Sequence, residues 1–109
     1  MTDKLSKKLK NEFRNFVRNE MKKLAADSYI ADDVAHLHVQ FIRWDKRNAA
    51  VYYVVWDDRY ELTPYNTNHC HYEWVDLFDA TWCRNSYAWH FWSAVNNILC
   101  AARVDQYVW

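Results

Sequence analysis

The chain has 109 residues, a formal net charge of zero, no glycine, one proline and seven tryptophans. Average usage would place roughly seven or eight glycines in such a chain. Their absence excludes the dinucleotide fingerprint, the phosphate-cradling P-loop, the EF-hand loop, the nucleophile elbow and the glycine-bearing signatures of KH and RRM modules.

Hydrophobic residues make up 51% of the chain and charged residues 26%, which places it with folded chains rather than disordered tails. Its length predicts a single domain over residues 1–109. Charge is unevenly placed. Residues 1–30 hold eight Lys/Arg against four Asp/Glu, and residues 31–109 hold six against ten. Met1 to Lys10 is charged, without the apolar core of a signal peptide, and no 18-residue apolar run is present. With three cysteines, an odd number, the reading is a cytoplasmic chain with reduced thiols and no membrane association.

The first element is an amphipathic helix over about 3–26. Leu5, Leu9, Phe13, Phe16, Val17, Met21 and Leu24 recur at helical spacing, and Thr2 and Asp3 are candidate caps. Residues 27–33 form a connector. The period then changes to two: in 35–44, Leu37, Val39 and Phe41 alternate with His36, His38 and Gln40. Residues 49–56 are β-branched and aromatic. Asp45-Lys46-Arg47-Asn48 between them reads as a turn, so the two runs form a hairpin.

Pairing Trp44 with Ala49 would give a core face of Leu37, Val39, Phe41, Tyr52, Val54 and Trp56. It also sets His36 opposite Asp57 and His38 opposite Val55. A one-residue slip would exchange the faces. Asp57-Asp58 is a candidate tight turn, with Arg59–Thr63 returning as a short third strand. Residues 64–68 read as a loop. Without glycine, these turns are expected to use right-handed geometry, or Asn or Asp at positive φ.

The last third reads as helical. Trp74, Leu77, Phe78 and Trp82 fall on one side of a wheel and Glu73, Asp76 and Asp79 on the other. Ser86 is a candidate cap for a final helix. There Tyr87, Phe91, Ala94, Val95, Ile98, Leu99 and Ala102 share one face, and Trp89, His90, Ser93, Asn96 and Asn97 the other. The expected fold is α+β in the order α-β-β-(β)-α-α, with helices on one face of a small antiparallel sheet.

Several constellations bear on chemistry. His69-Cys70-His71, with Cys83 and His90, resembles a metal-ligand inventory, but no CxxC or HxxxH pair is present and adjacent residues point apart. His36 and His38 form an H-x-H pair that could bind a metal with Asp57 across the ladder, but the reading taken is a solvated sheet face with a His–Asp contact. Cys70, Cys83 and Cys100 read as inert thiols; Cys70, between two histidines near an expected helix start, is the best nucleophile candidate. Asp32-Asp33 and Asp57-Asp58 lack the apolar surroundings that raise a carboxyl for acid–base work. No enzyme signature stands out, and neither a metal nor a cofactor is expected.

Binding features are stronger. Lys7, Lys8, Lys10, Arg14 and Arg18 form a basic helix face, readable as a solvated face with pairs such as Lys8–Glu12, or as one able to meet phosphates, an acidic protein, or the expected acidic helix within the chain or across a homodimer. Trp44, Trp89 and Trp109 are the tryptophans this arrangement leaves outside the core, and tryptophan is enriched at interface hot spots. The composition resembles that of small phage or mobile-element proteins that inhibit a host enzyme, a resemblance that carries no residue roles. The expected function is therefore a small non-enzymatic binding protein that occludes a site on a protein partner through Trp44, Trp89 and Trp109. The alternative is a nucleic-acid binder using the basic helix.

Overall fold

The computed structural model describes residues 3–63, 65, 68–80 and 86–107. In chain order the elements are α1 (Asp3–Ala25), α2 (Ala31–Val34), β1 (Leu37–Asp45), β2 (Ala50–Asp57), β3 (Cys70–Asp76), α3 (Leu77–Ala80) and α4 (Ser86–Tyr107). The fold is α+β. The strands form one antiparallel sheet in the order β1-β2-β3, and the core lies between one face of this sheet and the helices α1 and α4.

α1 forms where the apolar spacing predicts it. Leu9, Phe13 and Val17 are buried, Phe16, Met21 and Leu24 are half-buried, and Leu5 at the start is exposed. Phe13 is the hub: its ring meets Phe41 at 6.0 Å, Tyr53 at 5.4 Å and Tyr87 at 5.6 Å. Burying such a ring is worth about 1.5–3 kcal/mol. α4 contributes Phe91, Ala94, Val95, Ile98 and Leu99, all buried, and leaves Trp89, His90, Asn96 and Asn97 exposed. Phe16 joins the two helices, packing edge-on against Tyr87 at 5.1 Å and Phe91 at 5.8 Å.

The hairpin is present with a different register. Leu37 faces Asp57 and Phe41 faces Tyr53, one residue away from the expected pairing. A bulge at Ile42 then shifts the ladder again, so that Arg43 faces Tyr52 and Asp45 faces Ala50. β2 is thereby turned over: Val51, Tyr53 and Val55 join the core cluster instead of Tyr52, Val54 and Trp56, although Val54 is still buried. β1 keeps its expected face, with Leu37 and Val39 inward.

The third strand is Cys70–Asp76, not Arg59–Thr63, and it replaces the first part of the expected acidic helix. Alternation puts His71, Glu73 and Val75 on one side and Tyr72, Trp74 and Asp76 on the other, and Glu73 and Trp74 each find a tertiary partner. Glu73 turns inward to His71, at 2.6 Å, and lies 3.7 Å from His90 of α4. Trp74 turns outward beneath Arg43, 5.0 Å away, and beside Tyr52. Glu73 therefore does not meet the basic face of α1.

The turns are built by aspartates. The Asp45 carboxylate accepts the N–H groups of Arg47 and Asn48 and the Asn48 side-chain amide. The bond from the Asn48 amide is the main reason this carboxyl sits below its usual range. The positive φ falls on Ala49, at 49°, rather than on an Asn or Asp. At the other end of β2, the buried Asp57 receives Arg59 Nε at 2.9 Å and an Arg59 terminal N–H at 2.7 Å. Arg59 also reaches Asp33 of α2 at 3.3 Å, tying the helical connector to the sheet.

Candidate functional site

α1 crosses the inner side of β1 without closing over it. A groove of about 230 Å³ opens between them. Lys10, Phe13 and Arg14 form the helix wall. Phe41, Ile42, Arg43 and Trp44, the segment around the bulge, form the strand wall. Val51 and Leu77 supply the floor.

Local structure explains the lining. Lys10 and Arg14 are four residues apart and so share one face of α1. The bulge interrupts the alternation of β1, leaving Phe41 39% and Ile42 44% exposed at the rim. The cations lie over rings: Lys10 Nζ is 5.7 Å from the Trp44 ring and the Arg14 guanidinium 5.9 Å from Phe41. Arg43 stands over Trp74 on the opposite sheet face. Such contacts are worth roughly 0.5–1 kcal/mol when exposed, enough to bias Lys10 and Arg14 toward the mouth while leaving their charge unneutralised. Among the described residues none of the three makes an ion pair. Arg43 is near enough to Asp45 to add to the lowering of that carboxyl. The groove therefore has positive charge, ring edges and three aliphatic side chains, and no carboxylate in its lining.

The sequence-predicted residues are distributed as follows. Lys10, Arg14 and Trp44 come together at this groove. Lys7, Lys8 and Arg18 are exposed elsewhere on α1. Trp44 is half-buried and packed against the core rather than free at a hairpin tip. Trp89 is 68% exposed on α4 and does not line the groove. Trp109 lies outside the described residues, as do Thr2, Trp82 and Cys83. Phe41, Ile42 and Arg43 were not marked as site residues by sequence. Their signal was the run Phe41-Ile42, two apolar residues in succession that break the period of two.

The histidine pairs resolve differently from the metal readings. Asp58, not Asp57, is the partner of the H-x-H pair: its carboxylate meets His36 Nδ1 at 2.8 Å and His38 Nε2 at 2.7 Å. These contacts, His38 first, hold the Asp58 carboxyl below its usual range. The one-residue shift in register accounts for the exchange, with His38 now opposite Trp56. His69 stacks on Tyr60 and His71 turns to Glu73, so the two do not converge. Among the described residues no group of three or more His, Cys, Asp or Glu is placed to hold a metal.

Cys70 is buried and donates to the Thr63 carbonyl at 3.0 Å, and burial pushes its thiol up, the opposite of an activated nucleophile. Among the described residues, no disulfide joins Cys70 to Cys100. Among the described residues, no helix is long and apolar enough to cross a membrane.

Compared with family patterns, curated proteins and solved structures, the chain has no match.

Proposed function

We propose that this is a small non-enzymatic binding protein that engages a protein partner through the groove between α1 and β1 and acts by occluding a site on that partner. The observation carrying the reading is the lining: Lys10 and Arg14 stand over Trp44 and Phe41 beside exposed Ile42, Arg43 lines the strand wall, and no carboxylate is among them. Arginine and large rings dominate protein interface hot spots. A volume of about 230 Å³ is below the roughly 300–1,000 Å³ of drug-sized ligand sites, so it suits one or two side chains of a macromolecule. Exposed aliphatic surface and an open strand edge favour a polypeptide over nucleic acid. The reading includes a cytoplasmic location, for which the odd number of cysteines, three, is the support. In mode it is the host-targeting inhibitor that the composition resembles.

The test is capture of partners from nuclease-treated host lysate by the wild-type chain, by Arg14→Glu/Arg43→Glu and by Trp89→Ala. The reading expects a protein retained by wild type and Trp89→Ala and lost from the charge-reversed variant, with circular dichroism unchanged in all three. Equal capture by the charge-reversed variant, or capture abolished by nuclease, would refute it.

A further inference from the structure

We propose that the occupant of the groove is an extended stretch of the partner that adds to β1 as a fourth strand and places a carboxylate between Lys10 and Arg14; this rests on the groove reading above. β1 is an edge of the sheet. Among the described residues, no backbone group outside β2 hydrogen-bonds to its main chain. An antiparallel edge leaves alternate N–H and C=O groups facing outward, a template for another chain.

Proteins blunt such edges with lysines, prolines, inward charges or bulges. From Leu37 to Phe41 the edge carries none of these; its residues are Leu, His, Val, Gln and Phe. The guard appears only at Ile42, where the bulge breaks the ladder. Five unguarded residues match the length of an ordinary strand. An incoming strand would therefore pair along 37–41 and leave the ladder where the groove begins.

Side chains of the added strand alternate between the two sheet faces. Those on the inner face would lie beside Leu37, Val39 and Phe41, where apolar residues are favoured. The residue passing Phe41 meets Arg14, whose guanidinium stands 5.9 Å above that ring, and then Lys10 beside Trp44. Neither cation has a carboxylate partner among the described residues. The selected segment is thus apolar at alternate positions with an acidic end, the strand-addition mode of peptide recognition.

The probe is a synthetic decapeptide, Glu-Glu, three Thr-Val repeats, Glu-Glu, titrated into the isotope-labelled full chain with amide and indole resonances followed. Its counterparts carry Lys for Glu, or N-methyl groups on all valine amides or on all threonine amides. Only one set of peptide amides can point at β1, so one methylated version should bind at least tenfold more weakly and the other should not. The Lys version should also lose at least tenfold, and the outward-facing amides of 37–41 should gain exchange protection on binding. If the acidic peptide moves the Trp44 indole but neither methylation matters and 37–41 stay unprotected, strand addition is wrong while the groove reading stands. If no acidic peptide moves Trp44, or a dT20 oligonucleotide does so instead, the groove reading falls with it.

Discussion

Ala49 shows at one residue what a chain without glycine must do. Its φ of 49° is the left-handed region, and its side chain is fully buried where the hairpin turn meets the core. A non-glycine residue there costs about 1–2 kcal/mol. Ala49→Gly would remove that cost but lose backbone entropy of about 0.5–1 kcal/mol and a buried methyl of about 0.8 kcal/mol. Urea unfolding should therefore place Ala49→Gly within about 1 kcal/mol of wild type. Ala49→Val, β-branched at positive φ in a filled site, should lose about 2 kcal/mol or more. Tyr53 is a second case. Its buried hydroxyl has no hydrogen-bond partner among the described residues, and burial, with Glu73 adding to it, pushes its ionisation far above the usual tyrosine range. Tyr53→Phe should leave stability unchanged or raise it by up to about 1 kcal/mol, because an unpaired buried hydroxyl is unfavourable.

Among the elements, those with one apolar face were legible and those with two were not. Spacing placed α1 and α4 because each has a single apolar stripe. β2 reads Val51-Tyr52-Tyr53-Val54-Val55-Trp56, apolar on both sides, so alternation alone could not choose which side faces the helices. The choice is made by the bulge at Ile42 and by Phe13 meeting Tyr53. β3 is not legible from its own residues because the partners that make Glu73 and Trp74 acceptable in a strand, His90 and Arg43, are distant in the chain. The groove was half legible: Lys10, Arg14 and Trp44 were named from sequence, but the bulge that completes it was not.

The end of β2 carries a testable ion pair. Burial alone would push the Asp57 carboxyl up, but the Arg59 side chain and backbone N–H outweigh it and hold the carboxyl below its usual range. The unfolded chain then binds more protons than the folded one, so this contribution is whole above about pH 5 and is lost as pH falls through and below the ordinary aspartate value of about 3.9. Arg59→Ala leaves Asp57 buried without its cation and should cost about 3 kcal/mol near pH 7. The cost should shrink steadily in urea titrations carried below pH 4.

At the scale of the whole molecule the charge is segregated although it sums to zero. The N-terminal excess of cations lies along α1, and the two nearest the sheet end at a gap that no carboxylate of the described residues fills. Trp89 is the more exposed of the two described candidate tryptophans, yet it stands apart from this gap. Trp89→Ala should change stability by no more than about 0.5 kcal/mol, as surface substitutions do, and should not weaken capture of an acidic partner. The most direct test of the groove as the docking surface needs no identified partner. The isotope-labelled chain is titrated with poly-L-glutamate at low salt while the tryptophan indole N–H signals, assigned by single Trp→Phe variants, are followed. The account predicts that the Trp44 signal moves with the Phe41–Arg43 amides, that Trp89 stays still, and that added salt reverses the shift. A stationary Trp44, with shifts confined to Lys7, Lys8 and Arg18 or to Trp89, would contradict it.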